Sequence, residues 1–149
     1  QRIQPPFAKL PGFLFCYERF YTDAEGKPKV IYCYVAVTDA AESSPEEIMG
    51  TIQQDLTAKF PDAPEVWEDV EIVTPDESTR SCKRTSVQGP QRFDLTPVGG
   101  PFDEFDGRLD LYLVSTDQQH ILVGWRGTVE DVERTPLFQA GEASTGSIK

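Results

Sequence analysis

The chain has 149 residues, with 14 Lys plus Arg against 25 Asp plus Glu and a net charge of -11. Its length suits one domain able to bury about 70% of its unfolded surface, and its acidity argues against nucleic acid or an anionic membrane as partner. No stretch approaches the ~20 apolar residues of a membrane span, so no membrane insertion is expected within this chain.

The first residue is Gln, which leads to the expectation of an exported domain, periplasmic or extracellular, whose leader has been removed; a cytoplasmic domain is the alternative. Gln1 to Gly12, with Pro5, Pro6 and Pro11, reads as an extended lead-in, and residues 13–149 as a single α+β domain. Phe13 to Tyr21 and Lys29 to Val37 read as antiparallel strands around Asp23-Ala24-Glu25-Gly26. Four turn residues make Thr22 face Lys27 and set Cys16 directly opposite Cys33, at the Cα separation of ~4.5–5.5 Å that a disulfide can bridge. Two small buried thiols fit that register equally, and Cys82 is left over in both cases. One face then carries Leu14, Cys16, Phe20, Ile31, Cys33, Val35 and Val37, and the other Phe13, Phe15, Tyr17, Tyr21, Tyr32 and Tyr34. Both faces are apolar or aromatic, so the hairpin is expected to be covered on both sides.

A helix over residues 45–60 follows, with Ser44 as N-cap, Pro45 in the first helical position and Glu47 completing a capping box. Ile48, Ile52, Leu56 and Phe60 recur every four residues as the stripe that meets the sheet, and Pro61 ends it. Val66 to Thr74 and Ser81 to Gln88 read as strands, with Gln91 to Leu95 continuing the ladder. Asp62 to Glu77 holds seven acidic residues and no basic one, while Arg80 to Arg92 holds four basic residues and no acidic one. That contrast suits neighbouring strands with complementary solvated faces, each facing pair adding ~0.2–1 kcal/mol.

Residues 96–107, TPVGGPFDEFDG, carry two Pro and three Gly and are expected to form an irregular loop. The closing hairpin, within Gly107 to Gly127, pairs Ser115 with His120, which sets Val114 opposite Ile121, Leu113 opposite Leu122 and Tyr112 opposite Val123. Both of its faces are apolar at the centre. Thr135 and Pro136 open a last helix carrying Leu137, Gly141, Ser144 and Ile148 along one narrow face, which is expected to cover the sheet face that the first helix does not.

The residues offer little chemistry. His120 is the only histidine and reads as a solvated turn residue; the three cysteines lack CxxC spacing, and no phosphate-binding or nucleophile-elbow string occurs. No cofactor and no metal is assigned. Asp103, Glu104, Asp106 and Asp110 are weak candidates for a Ca²⁺ site, because hard cations take oxygen ligands from flexible loops. Alternation sends Trp125 and Arg126 to opposite faces of the last strand, with Trp125 expected in the core under a helix. Arg126 is expected either to pair with an acid of the flanking TVEDVE segment or to anchor a partner, since Trp and Arg are favoured hot-spot residues. The aromatic face of the first hairpin, with Tyr17, Tyr32 and Tyr34, is core if covered and a partner-binding patch if not.

The opening FLFCYERF strand, the SSPEEIMGTIQQDL helix and the HILVGWRG strand followed by a short terminal helix together resemble the PsbP-like fold. That family includes photosystem II extrinsic proteins and a Ran-binding nuclear import factor. The resemblance covers element order over nearly the whole chain and implies an α/β/α sandwich, an antiparallel sheet of about six strands with helices on both faces. It also implies a domain that docks to proteins without catalysis. The expectation is therefore a non-catalytic binding or accessory domain with a protein partner, acting at the cell envelope. A carboxylate-based, Ca²⁺-dependent hydrolase using the acidic segment 103–110 is the rival, and a structural domain of a larger anchored protein the third reading.

Overall fold

The computed structural model describes residues 13–60, 67–73, 79–99, 102–135 and 138–139. Six antiparallel strands form one open sheet in the order β1-β2-β6-β5-β4-β3. They are β1 (Phe13–Thr22), β2 (Pro28–Asp39), β3 (Glu68–Val73), β4 (Thr79–Asp94), β5 (Phe102–Ser115) and β6 (Gln119–Thr128). Among the described residues they are accompanied by the helices α1 (Pro45–Lys59) after β2 and α2 (Val129–Glu133) after β6. The lead-in 1–12 and the C-terminal segment 140–149 lie outside the described residues.

The helix cap forms as the sequence predicts. Ser44 Oγ accepts from the Glu47 N–H and Glu47 Oε1 accepts from the Ser44 N–H, each at 3.2 Å. Such a cap contributes about 1 kcal/mol, and burial of Ile48, Ile52 and Leu56, each at most 2% exposed, contributes roughly 1.5–3 kcal/mol per side chain. These three pack on Val30, Tyr32, Tyr34 and Ala36 of β2, Leu109, Leu111 and Leu113 of β5, and Leu122 of β6.

Alternation then assigns the opposite face. Half-buried Ile31, Cys33, Val35 and Val37 of β2 lie there with Ile121, Val123 and Trp125 of β6. A second, smaller cluster on the same side joins Ile72, Cys82 and Tyr112 to Val70, Val114 and Trp125.

The closing hairpin has the register read from its sequence: Ser115 pairs with His120, Val114 with Ile121, Leu113 with Leu122 and Tyr112 with Val123. The first hairpin does not. Thr22 pairs with Pro28, Cys16 with Tyr34 and Tyr17 with Cys33, one residue off the predicted register. The cause is the turn, in which the Asp23 N–H donates to Lys27 O at 2.9 Å and the Gly26 N–H to Asp23 O at 3.0 Å. Gly26 sits at φ 81°, so a three-residue turn with a glycine bulge replaces the even-numbered turn assumed from the sequence. Cys16 and Cys33 thus occupy alternate positions and do not oppose each other. Cys33 and Cys82 are free thiols, and burial pushes the Cys82 thiol upward in pKa.

The acidic and basic stretches meet as expected. Glu68 pairs with Arg84 and Asp69 with Lys83 along β3 and β4, with ion pairs across both positions. Residues 102–107, expected in a loop, are instead the start of β5 and pair with β4 as far as Asp94. The glycines there serve packing as well as turning. Gly107 lies under the Phe93 ring, where an added Cβ would come within 2.8 Å of the ring, so a side chain at 107 would displace the aromatic. Pro90 is tolerated in β4 because, among the described residues, β3 pairs only with Thr79 to Arg84 and no strand lies beside Pro90 on that side.

A short helix not expected from the sequence comes before the predicted last one. α2 starts directly after β6, with Thr128 Oγ1 accepting from the Asp131 N–H at 3.1 Å. The Thr-Val-Glu-Asp string carries that cap and precedes the expected Thr135-Pro136 start, where Phe138 and Gln139 are helical and the Gln139 N–H donates to Thr135 O at 3.0 Å. Pro136, Leu137, Gly141, Ser144 and Ile148 lie outside the described residues.

Candidate functional site

The residues singled out from sequence separate onto different surfaces. Tyr32 and Tyr34 are 6% and 2% exposed beneath α1, so they belong to the core and not to an aromatic docking patch. Tyr17 sits a register step away, opposite Cys33, and its side chain lies outside the described residues. Trp125 does not lie under α1. It is half-buried on the other face, edge-on to Tyr112 at 6.3 Å with planes at 72°.

Arg126 takes the α1 side. Its Nε donates to Gln91 Oε1 at 2.8 Å and its Nη2 to the Arg92 carbonyl at 2.8 Å, so it spans from β6 across β5 to β4. The guanidinium lies 4.1 Å from the centre of the Phe93 ring, Phe93 stacks on Phe105 at 4.2 Å, and Lys29 Nζ caps Phe105 at 4.1 Å. Burial pulls the Arg126 pKa below the ordinary guanidinium value, an effect that Tyr34 and Tyr32 oppose. Among the described residues no carboxylate pairs with it. The acids of TVEDVE are engaged elsewhere, because α2 reaches the other face: Asp131 accepts from Tyr21, Glu133 lies 4.0 Å from Arg108, and Glu130 pairs with Arg134. Arg126 is thus a cross-strand clamp, held by cation–π contacts worth ~0.5–2 kcal/mol.

The acidic segment has no loop to form a cation cage. Asp106 and Asp110 lie along β5 with Arg108 between them, and Asp103 has the opposite strand parity. Asp110 is fully buried and accepts from Arg108 Nε at 2.7 Å and from the Tyr112 hydroxyl at 3.3 Å. Burial, helped by the Asp110 charge and opposed by Arg84, pushes the Tyr112 pKa up to about 12. Among the described residues no group of three or more His, Cys, Asp or Glu is arranged to hold a metal ion.

The reading of His120 as a solvated turn residue is corrected. It is 5% exposed, with Nδ1 2.9 Å from Ser115 Oγ and Nε2 2.9 Å from the Ser43 carbonyl. The tip of the hairpin reaches under the segment leading into α1, which buries the ring. The predicted pairing of Ser115 with His120 was the available sequence signal; the Ser43 carbonyl, 77 residues away, left none. Beside this pair, a cavity of about 260 Å³ opens between the α1 N-terminus and the β3–β5 part of the sheet, lined by Pro45, Glu46, Met49, Lys83, Leu113 and Ser115 among others. Comparison with known protein families and with curated protein sequences gives no match for this chain.

Proposed function

We infer that the domain docks to a protein partner, as an accessory domain whose role needs no catalysis, acting at the cell envelope on a PsbP-like α/β/α scaffold. The observation that carries this reading is the apolar row on the sheet face away from α1. Val35 and Val37 of β2, Ile121 and Val123 of β6, and Val114 of β5 are all only half-buried there, with Trp125 alongside. A contiguous, partly exposed apolar row is the usual mark of an interaction surface, and Trp125 supplies an aromatic anchor of the hot-spot type.

The sandwich part of the reading draws support from α2. Its contacts with Tyr21 and Arg108, and the Phe138 ring 4.9 Å from the Arg108 guanidinium, lie on that same face, near the end where β6 runs into α2. The carboxylate-based hydrolase is less favoured, since Asp110 is committed to Arg108 inside the sheet.

A pull-down from native lysate tests the inference. The wild-type chain is expected to retain a protein that Val123→Asp releases while the variant keeps its circular dichroism spectrum. A chain that stays alone at physiological concentration sinks it.

A further inference from the structure

On the α1 side of the sheet, away from the apolar row, we propose that Ser115 and His120 form a nucleophile and general-base pair that transfers acyl groups from small esters. The tautomer argument comes first. A backbone carbonyl can only accept, so the 2.9 Å contact between His120 Nε2 and Ser43 O requires the ring proton on Nε2. In the neutral ring Nδ1 then carries the free lone pair, and the Ser115 hydroxyl at 2.9 Å donates to it. Nucleophile, base and orienting acceptor stand in the order that nucleophilic catalysis needs, with the Ser43 carbonyl as the third member.

The surroundings match. Ser115 is exposed and lines the cavity, whereas His120 lies buried behind it, so the nucleophile meets substrate and the base stays out of water. Cross-strand pairing fixes Ser115 against His120, and the capping box that starts α1 at Ser44 holds the neighbouring Ser43 carbonyl in place. The far wall is the N-terminus of a 15-residue helix, at Pro45 and Glu46, and the Lys83 ammonium beside it is paired with Asp69, which also lines the cavity. The helix terminus favours negative charge developing on a carbonyl oxygen. About 260 Å³ suits a short acyl chain on a small alcohol.

In the reaction, Nδ1 takes the Ser115 proton as Oγ bonds to the ester carbonyl carbon. The oxyanion collapses, the ester C–O bond breaks, and the leaving alcohol takes that proton from Nδ1. Water entering through the cavity then gives a proton to Nδ1 as it attacks the acyl-serine carbonyl; the C–Oγ bond breaks, Oγ takes the proton back from Nδ1, and a carboxylic acid is released.

The test uses the full chain with p-nitrophenyl acetate and a fluorophosphonate probe. A stoichiometric burst of p-nitrophenol and a phosphonate located on Ser115 by peptide mass spectrometry are expected, both absent in Ser115→Ala. His120→Gln retains an N–H donor for Ser43 but no base, and its rate is expected to fall by about 10²–10⁴-fold. A wild-type rate equal to that of a folded Ser115→Ala, or labelling elsewhere than Ser115, overturns the proposal and leaves the pair a purely structural contact. If His120→Gln fails to fold, the wild-type and Ser115→Ala comparison decides alone.

Discussion

The two hairpins of this sheet are similar in composition and opposite in how they set register. Both β1–β2 and β5–β6 carry apolar residues on both faces, so neither has the polar alternation that would make a one-residue slip costly. The closing hairpin has a short turn: the Thr116 N–H and Oγ1 both donate to Gln119 O, leaving Asp117 and Gln118 at the tip. The first hairpin turns on Ala24, Glu25 and Gly26, with Asp23 Oδ1 accepting from the N–H groups of Glu25 and Lys27 at 2.9 Å each. Where facing residues do not choose the register, the turn does, and one bulged glycine moved every β2 residue to a new β1 partner.

The two differ in interior as well, and this yields the largest expected effect. The closing hairpin buries the Arg108–Asp110 pair. Arg108→Met leaves a carboxylate without its cation, and a loss of about 3–5 kcal/mol in urea unfolding is expected; a loss near zero would mean that Asp110 finds water or another partner. Gly124→Ala comes next, since its Cβ would meet Leu111 Cδ2 at 2.3 Å and Asp110 O at 2.8 Å in the middle of the same hairpin. A cost of about 1–3 kcal/mol is expected from overpacking.

Gly26→Ala probes the other turn. Nothing lies within 4 Å of its Cβ, so only the backbone at φ 81° resists, at about 1 kcal/mol, and Gly26→Asn should cost less. If Gly26→Ala matched Gly124→Ala, the bulge would be holding more than the turn.

The smallest effect is alkaline. Tyr21 of β1, raised by burial and by its hydrogen bond to Asp131, and Tyr112 of β5 both sit at about 12. A proton held more tightly folded than unfolded stabilises the fold below pH 10, and that contribution is lost as pH rises towards 12. Ultraviolet titration should show both phenols ionising late. Phe substitution of either one should remove its share of the alkaline destabilisation.

Much of the architecture was legible because its causes are local. The capping box at Ser44 and Glu47 and the spacing of Ile48, Ile52 and Leu56 lie within a few turns of chain, and so does the closing turn at Thr116. The bulge at Gly26 was local too, but the four residues DAEG admit both an even and an odd turn. The start of β5 was hidden for another reason: glycine and acid at residues 99–107 suggest a loop, and only the Phe93 ring over Gly107 shows why glycine belongs in that strand.

By itself, then, the sequence determined the helix, most of the strands and the pairing of Ser115 with His120, all set by hydrogen bonds and periodicities that span few residues. Only the tertiary structure decided which face each strand presents. It put Arg126 under α1 and Trp125 on the opposite side, turned the acids of α2 towards Tyr21 and Arg108, and buried His120 against the Ser43 carbonyl. Those outcomes depend on where distant segments pack, and burial by a segment 77 residues away leaves no periodic trace in the chain it covers.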